Sequence, residues 1–162
     1  MTSLFSAAQF HRTLLDGLQS CSAIRHMSIG YRFANERSMP IEEGHFFQAV
    51  CTHLESAPTP HPDLEELTLC MVDRDGAIIS VTPELCHRLA RVLLDGSRYP
   101  RFHTLRISLW VETWHPTIRM ALSTLSQGAR ESAKERWRRA FNAFEDASDV
   151  TLEIETGGWT RH

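Results

Sequence analysis

One pattern constrains this chain more than any other: an apolar triplet spaced h-x-x-h-x-h that returns at long, similar intervals. It stands at Ile24, Met27 and Ile29, at Leu64, Leu67 and Leu69, at Phe102, Leu105 and Ile107, and in weaker form at Ala147, Val150 and Leu152. The middle positions are 40, 38 and 45 residues apart. The tetrapeptide LLDG also occurs twice, at 14–17 and 93–96, each time shortly ahead of a triplet. Self-similarity at such a period marks an array of supersecondary units, each unable to bury its apolar face alone.

Each triplet lies in a segment that alternates every second residue, the signature of a half-buried strand. His26, Ser28 and Gly30 alternate with Met27, Ile29 and Tyr31, and Glu66, Thr68 and Cys70 with Leu67, Leu69 and Met71. Thr104, Arg106 and Ser108 alternate with Leu105, Ile107 and Leu109, and Asp149, Thr151 and Glu153 with Val150, Leu152 and Ile154. Four strands are predicted.

Helical spacing fills the intervals. Phe10, Leu14 and Leu18 predict a first helix, and Phe46, Phe47, Val50, Cys51 and Leu54 form one stripe of a second. In TPELCHRLARVLLDG, Thr82 suits an N-cap, Pro83 the first helical position and Gly96 the end, with Leu85, Leu89, Val92 and Leu93 buried. PTIRMALSTLSQG reads as a shorter helix stopped by Gly128, and a further helix follows with Ala133, Trp137, Ala140, Phe141 and Phe144 together. The loops ESAPTPHPD, DRDGAIISVTP and the segment near WHP are too short and too ordinary in composition to divide domains. The chain reads as a single domain over 1–162, a helix–strand unit repeated four times.

Strands separated by helices pair in parallel through right-handed crossovers. A sheet covered on both faces has nearly continuous apolar strands. These strands each keep a polar face, so all helices belong on one side. The expected class is therefore α/β: a short, irregular solenoid of about four helix–strand units whose parallel sheet leaves one polar face open. A two-layer α+β domain with mixed strand directions is the alternative.

LEELTL at 64–69 and FHTLRISLW at 102–110 resemble repeats of the leucine-rich-repeat part of F-box proteins, the irregular long-repeat kind common in fungi. The similarity spans roughly residues 14–156. Val72 stands where the stricter consensus has Asn or Cys, and the sequence contains no F-box helix cluster. The resemblance implies the substrate-recognition part of a ubiquitin-ligase adaptor, whose repeats bind a protein while a separate F-box binds the rest of the ligase.

On that architecture the open face carries the candidate binding residues. Ser28, Thr68, Arg106 and Thr151 are expected as one row across the four strands, with His26, Glu66, Thr104 and Asp149 beside them. Ser108 and Trp110 extend the same parity, and exposed Trp and Arg are common interface anchors. The competing reading of Trp110 packs it under the loop holding His115 and Pro116. The partner expected is a protein. A face of four strands ~4.8 Å apart, five residues long, measures about 15 by 16 Å. That is about a third of the ~800 Å² a standard interface takes from one partner. Either loops contribute, or the chain is one piece of a longer solenoid; no dedicated cap is evident at either end.

Other chemistries find less support. A net charge of −3 and a pI near 6.3 do not favour nucleic acid or an acidic membrane surface. The basic stretch Arg130, Lys134, Arg136, Arg138 and Arg139 is interleaved with Glu131 and Glu135, as on a solvated helix face. No apolar run approaches membrane-spanning length, and the first residues lack a signal-peptide pattern. Cys21, Cys51, Cys70 and Cys86 are 30, 19 and 16 residues apart with no C-x-x-C, so reduced, structural thiols and a cytoplasmic or nuclear location are expected. The nine histidines form no H-x-x-x-H or H-E-x-x-H, so no metal is expected and they read as surface or capping residues. DRDG at 73–76 lacks the rest of a calcium loop, Gly157-Gly158 is not a phosphate loop, and no G-x-S-x-G is present. No cofactor is implied. The alternative function is a small α/β enzyme in which Asp73, Asp75, Glu112, Trp114, His115 and Glu155 converge at the C-terminal strand ends, the carboxylates and the histidine doing acid–base work.

Overall fold

Apolar residues at every second strand position build one sheet with one buried side. The computed structural model describes residues 23–30, 39–56, 58–74, 82–112 and 122–157. Strands β1 (His26–Gly30), β2 (Glu66–Arg74), β3 (Thr104–Glu112) and β4 (Thr151–Gly157) form a four-stranded sheet in the order β1-β2-β3-β4. All three pairings are parallel. Helix α1 (Met39–Glu55) joins β1 to β2, α2 (Pro83–Leu93) joins β2 to β3, and α3 (Leu122–Ala140) with α4 (Asn142–Glu145) precedes β4. The predicted α/β class, the four strands and their parallel pairing are observed. The helix predicted around Phe10, Leu14 and Leu18 lies outside the described residues.

The core follows the sequence alternation. Met27, Ile29, Leu67, Leu69, Leu105, Ile107 and Leu109 are buried, and they meet Phe47, Val50, Cys51 and Leu54 of α1 and Cys86, Leu89, Ala90, Val92 and Leu93 of α2 in the same cluster. Trp137 stacks on Phe141, their centroids 6.1 Å apart, and Phe141 contacts both Phe47 and Phe144. Helices α1, α3 and α4 thus share an aromatic seam. In β4 the equivalent Leu152 and Ile154 are only half-buried against the core.

The strand starts are tied by a recurring arrangement. The amides of Glu65 and Glu66 both donate to the Arg25 carbonyl, at 2.8 and 3.0 Å. One strand further on, the amides of His103 and Thr104 both donate to the Glu65 carbonyl, at 3.0 and 3.2 Å. The Thr151 amide then donates to the His103 carbonyl at 2.8 Å.

Three expectations are corrected. Gly128 does not stop a helix; α3 runs through it to Ala140, because Gly128 sits on the exposed side and interrupts no apolar contact. The chain leaves the helix at Phe141 instead, whose backbone turns to ψ 24° so that Phe144 can also reach the core. Nor does Gly96 end α2. Thr82 caps its start as expected, but Leu94 closes it, and the Asp95 side chain accepts from the Ser97 amide and hydroxyl to form the turn.

The third correction concerns register. The pairings His26–Glu66–Thr104 and Ser28–Thr68–Arg106 agree with the expected rows, but β4 is two residues out. Thr151 pairs with Thr104 and Glu153 with Arg106, and Asp149 lies in the turn before the strand. A two-residue slip leaves every side chain on its predicted face, so alternation cannot detect it. The weak triplet had been centred on Val150, whereas Leu152 is the residue opposite Leu105.

Stability should report this layout. Leu105→Ala, at a fully buried position, is expected to cost about 2–5 kcal/mol. Leu152→Ala should cost distinctly less, read as urea midpoints at constant m-value. Gly128→Ala should stabilise by about 0.5–1 kcal/mol, since a methyl there meets nothing within 4 Å.

Candidate interaction face

The polar strand positions, even-numbered in β1 to β3 and odd-numbered in β4, project away from the helices and carry the candidate residues. His26, Ser28 and Thr151 are exposed; Glu66, Thr68, Arg106, Ser108 and Glu153 are half-buried; Thr104 is nearly covered, bonded through its hydroxyl to His103 Nδ1 at 2.9 Å. The face was predicted as a row of polar anchors. It is instead organised around one guanidinium.

Arg106 lies on β3 with a strand on either side. Its Nη1 donates to Glu66 Oε1 of β2 at 2.7 Å, and its Nε and Nη2 both reach Glu153 Oε2 of β4 at 2.8 Å. Glu155 Oε1 stands 3.8 Å from Nε. The hydrogen bond to Glu153, and then the charge of Glu66, hold the guanidinium even more firmly protonated than usual. Thr68 donates to the same Glu66 oxygen at 3.2 Å. Arg106 therefore ties three strands together, and it is not a free anchor.

A second cluster lies at the start of β1 and β2. His26 faces Glu65 at 3.9 Å and Glu66 at 3.7 Å, and Arg25 faces Glu65 at 3.8 Å. Across the face, Glu65, Glu66, Glu153 and Glu155 meet only Arg25 and Arg106 as permanent cations among the described ion pairs, so it is acidic. Glu155 is the most open of the carboxylates, with 65% of its side chain exposed.

Glu153 is expected on the polar side of β4 but in neither candidate row, and Glu155 only in the enzyme reading, because the fourth strand is expected two residues early. Taking Leu152 as the middle of the fourth triplet would have put Glu153 in the Arg106 row. Asp149, expected on the face, is exposed in the preceding turn. Trp110 pairs with Val72 and Gly157 in the ladder, continuing the parity of Arg106 and Ser108, and its side chain lies outside the described residues. For the enzyme alternative, Asp75, Trp114 and His115 and the side chains of Asp73 and Glu112 are also outside them.

Among the described residues no group of three or more His, Cys, Asp or Glu is placed to hold a metal ion. Cys51, Cys70 and Cys86 are free thiols, as expected; burial pushes both Cys51 and Cys86 up to about 12, which makes them inert at neutral pH. Cys21 lies outside the described residues. The basic side of α3 is laced with short-range pairs: Lys134 with Glu131 at 3.3 Å, Arg139 with Glu135 at 2.9 Å and Arg138 with Glu145 at 2.9 Å. It has the character of a solvated face.

The histidines need one correction. His26, His45, His87 and His103 are exposed, as expected, but His53 and His61 are buried and bonded to each other. Nothing in their eight-residue separation announces this, because the prolines at 58, 60 and 62 turn the chain back onto α1.

Comparison with protein-family models, curated proteins and solved structures finds no match to this chain. No described helix is long and apolar enough to cross a membrane.

The charge arrangement has a measurable consequence. Arg106→Glu would set a fourth carboxylate among Glu66, Glu153 and Glu155, and should lower the urea midpoint at pH 7 more than Arg106→Gln. In 1 M NaCl, where screening acts within ~3 Å, the gap between the two variants should narrow. An equal midpoint for both variants at low salt would mean that the ion pairs do not organise the face.

Proposed function

We propose that this chain is a protein-interaction module, built as a short leucine-rich-repeat-like solenoid, that binds its partner on the open polar face of the sheet. The observation that carries the reading is the one-sided burial of an in-order parallel sheet: the helices cover one face and leave the other to water. The doubled amide contacts on the Arg25 and Glu65 carbonyls, repeated from one strand to the next, support the repeat character. A protein partner, in the cytoplasm or nucleus, is the reading that such a face favours.

Within that reading, the resemblance to the repeats of F-box proteins makes substrate recognition for ubiquitin transfer the specific role proposed. The small face supports a longer assembly, in which neighbouring units or loops extend the contact beyond what four strands offer.

Site-specific photocrosslinking tests it. A benzophenone side chain at Ser108 or Thr68 should capture a discrete partner from an extract of the source cells, and the same probe at Glu131 on the helical side should not. Equal capture from both sides, or none from the sheet face, would sink the proposal.

A further inference from the structure

The buried histidine pair stands apart from the sheet face and has no part in the function proposed above. His53 lies in the last turn of α1 and is 5% exposed; His61 lies in the following loop and is 0% exposed. Their Nε2 atoms are 3.0 Å apart and the rings are tilted by 48°. One Nε2–H must donate and the other Nε2 must accept, so between two neutral rings the contact requires opposite tautomers. A single added proton can stay in the N–H···N contact, but it places a charge where water does not reach. A second proton would set two cations against each other.

The loop this contact secures leads directly into the sheet. The Leu64 amide donates to the His61 carbonyl at 3.1 Å, Leu64 is fully buried, and the next two amides anchor β2 on Arg25. At the other side of the contact, the Ser56 amide and hydroxyl hold the His53 carbonyl at 3.1 and 2.6 Å. We infer that the His53–His61 contact is a pH-sensitive latch, fastening the loop at 58–64 and the start of β2 to the end of α1.

Among the described residues, the charged groups on the elements around the pair are engaged elsewhere. Glu55 of α1 is held by Arg88 of α2, with Arg91 at 3.8 Å, and its carboxyl is lowered chiefly by the Arg88 hydrogen bond. From the loop after α2, Arg98 donates to the carbonyls of Leu54 and Ser56, and the Tyr99 hydroxyl donates to Leu54. Asp63 of the loop pairs with Arg101 at 3.2 Å. Burial first, and then the charge of a protonated His61, hold His53 below its ordinary value.

The sign follows. The open loop exposes both rings to water, where histidine titrates near ~6.5, so opening takes up protons. The latch is intact above that pH. Below it, each proton taken up favours the open form by about tenfold per pH unit, and two protons by up to a hundredfold.

Hydrogen exchange by NMR at pH 7.5 and 5.5, corrected for intrinsic rates, tests the latch. Protection of the Leu64 and Ser56 amides should fall at least tenfold at pH 5.5, with Ile107 in β3 unchanged. In a His53→Gln, His61→Gln variant that difference should vanish. An equal fall in the variant, or none in the wild type, would overturn the latch. If the variant does not fold, ring nitrogen spectra of the wild type decide. Two neutral rings in opposite tautomers at pH 7.5 are required; a cationic ring or matching tautomers would refute it.

Discussion

The structure depends on a single asymmetry: the sheet is dry on one side and wet on the other. Leu67, Leu69, Leu105 and Ile107 have no accessible surface, whereas the residues between them remain in contact with water or with one another. Burial of this kind is the main favourable contribution to folding and scales with apolar area removed from water. Because only one side supplies it, every helix must contribute to the same layer. The amphipathic stripes of α1 and α2 and the aromatic seam from Trp137 to Phe144 serve that layer.

The opposite side shows how a solvated sheet face acquires order without a hydrophobic cover. Its central β3 offers one guanidinium, and β2 and β4 bring carboxylates to it at matched heights. Exposed ion pairs contribute little individually, so the network around Arg106 matters more for register than for stability. A partner docking there would meet a surface whose charges are already committed to one another, apart from the outlying Glu155.

How much of this was legible can be argued from particular residues. Alternation around Leu67 and Leu105 is strong and unbroken, and it gave the strands, their faces and two of the three pairings. The same alternation is blind to a shift by two, and so Glu153 takes the place beside Arg106 expected for Thr151, and Thr151 the place beside Thr104 expected for Asp149. Gly128 misled because a glycine's cost in a helix, about 1 kcal/mol, is small beside the burial of Ala133 and Trp137 that continues the helix past it. The histidine pair was invisible for another reason. It depends on where a proline-rich loop lands, and on Arg98 and Tyr99 arriving from more than forty residues away to close the end of α1.

The in-order arrangement of strands also has a mechanical consequence. Every strand pairs only with its neighbours along the chain, so no strand ladder joins β1 to β4. With strands in this order, the resistance of the sheet to pulling resides in each ladder separately. Tension drawn along the chain would meet the shortest ladder first, between β1 and β2, where five residue pairs join the strands against seven between β3 and β4. The remaining layers would still carry load. The sheet would then open one ladder at a time, yielding by degrees where a closed barrel of the same size would hold and then fail at once.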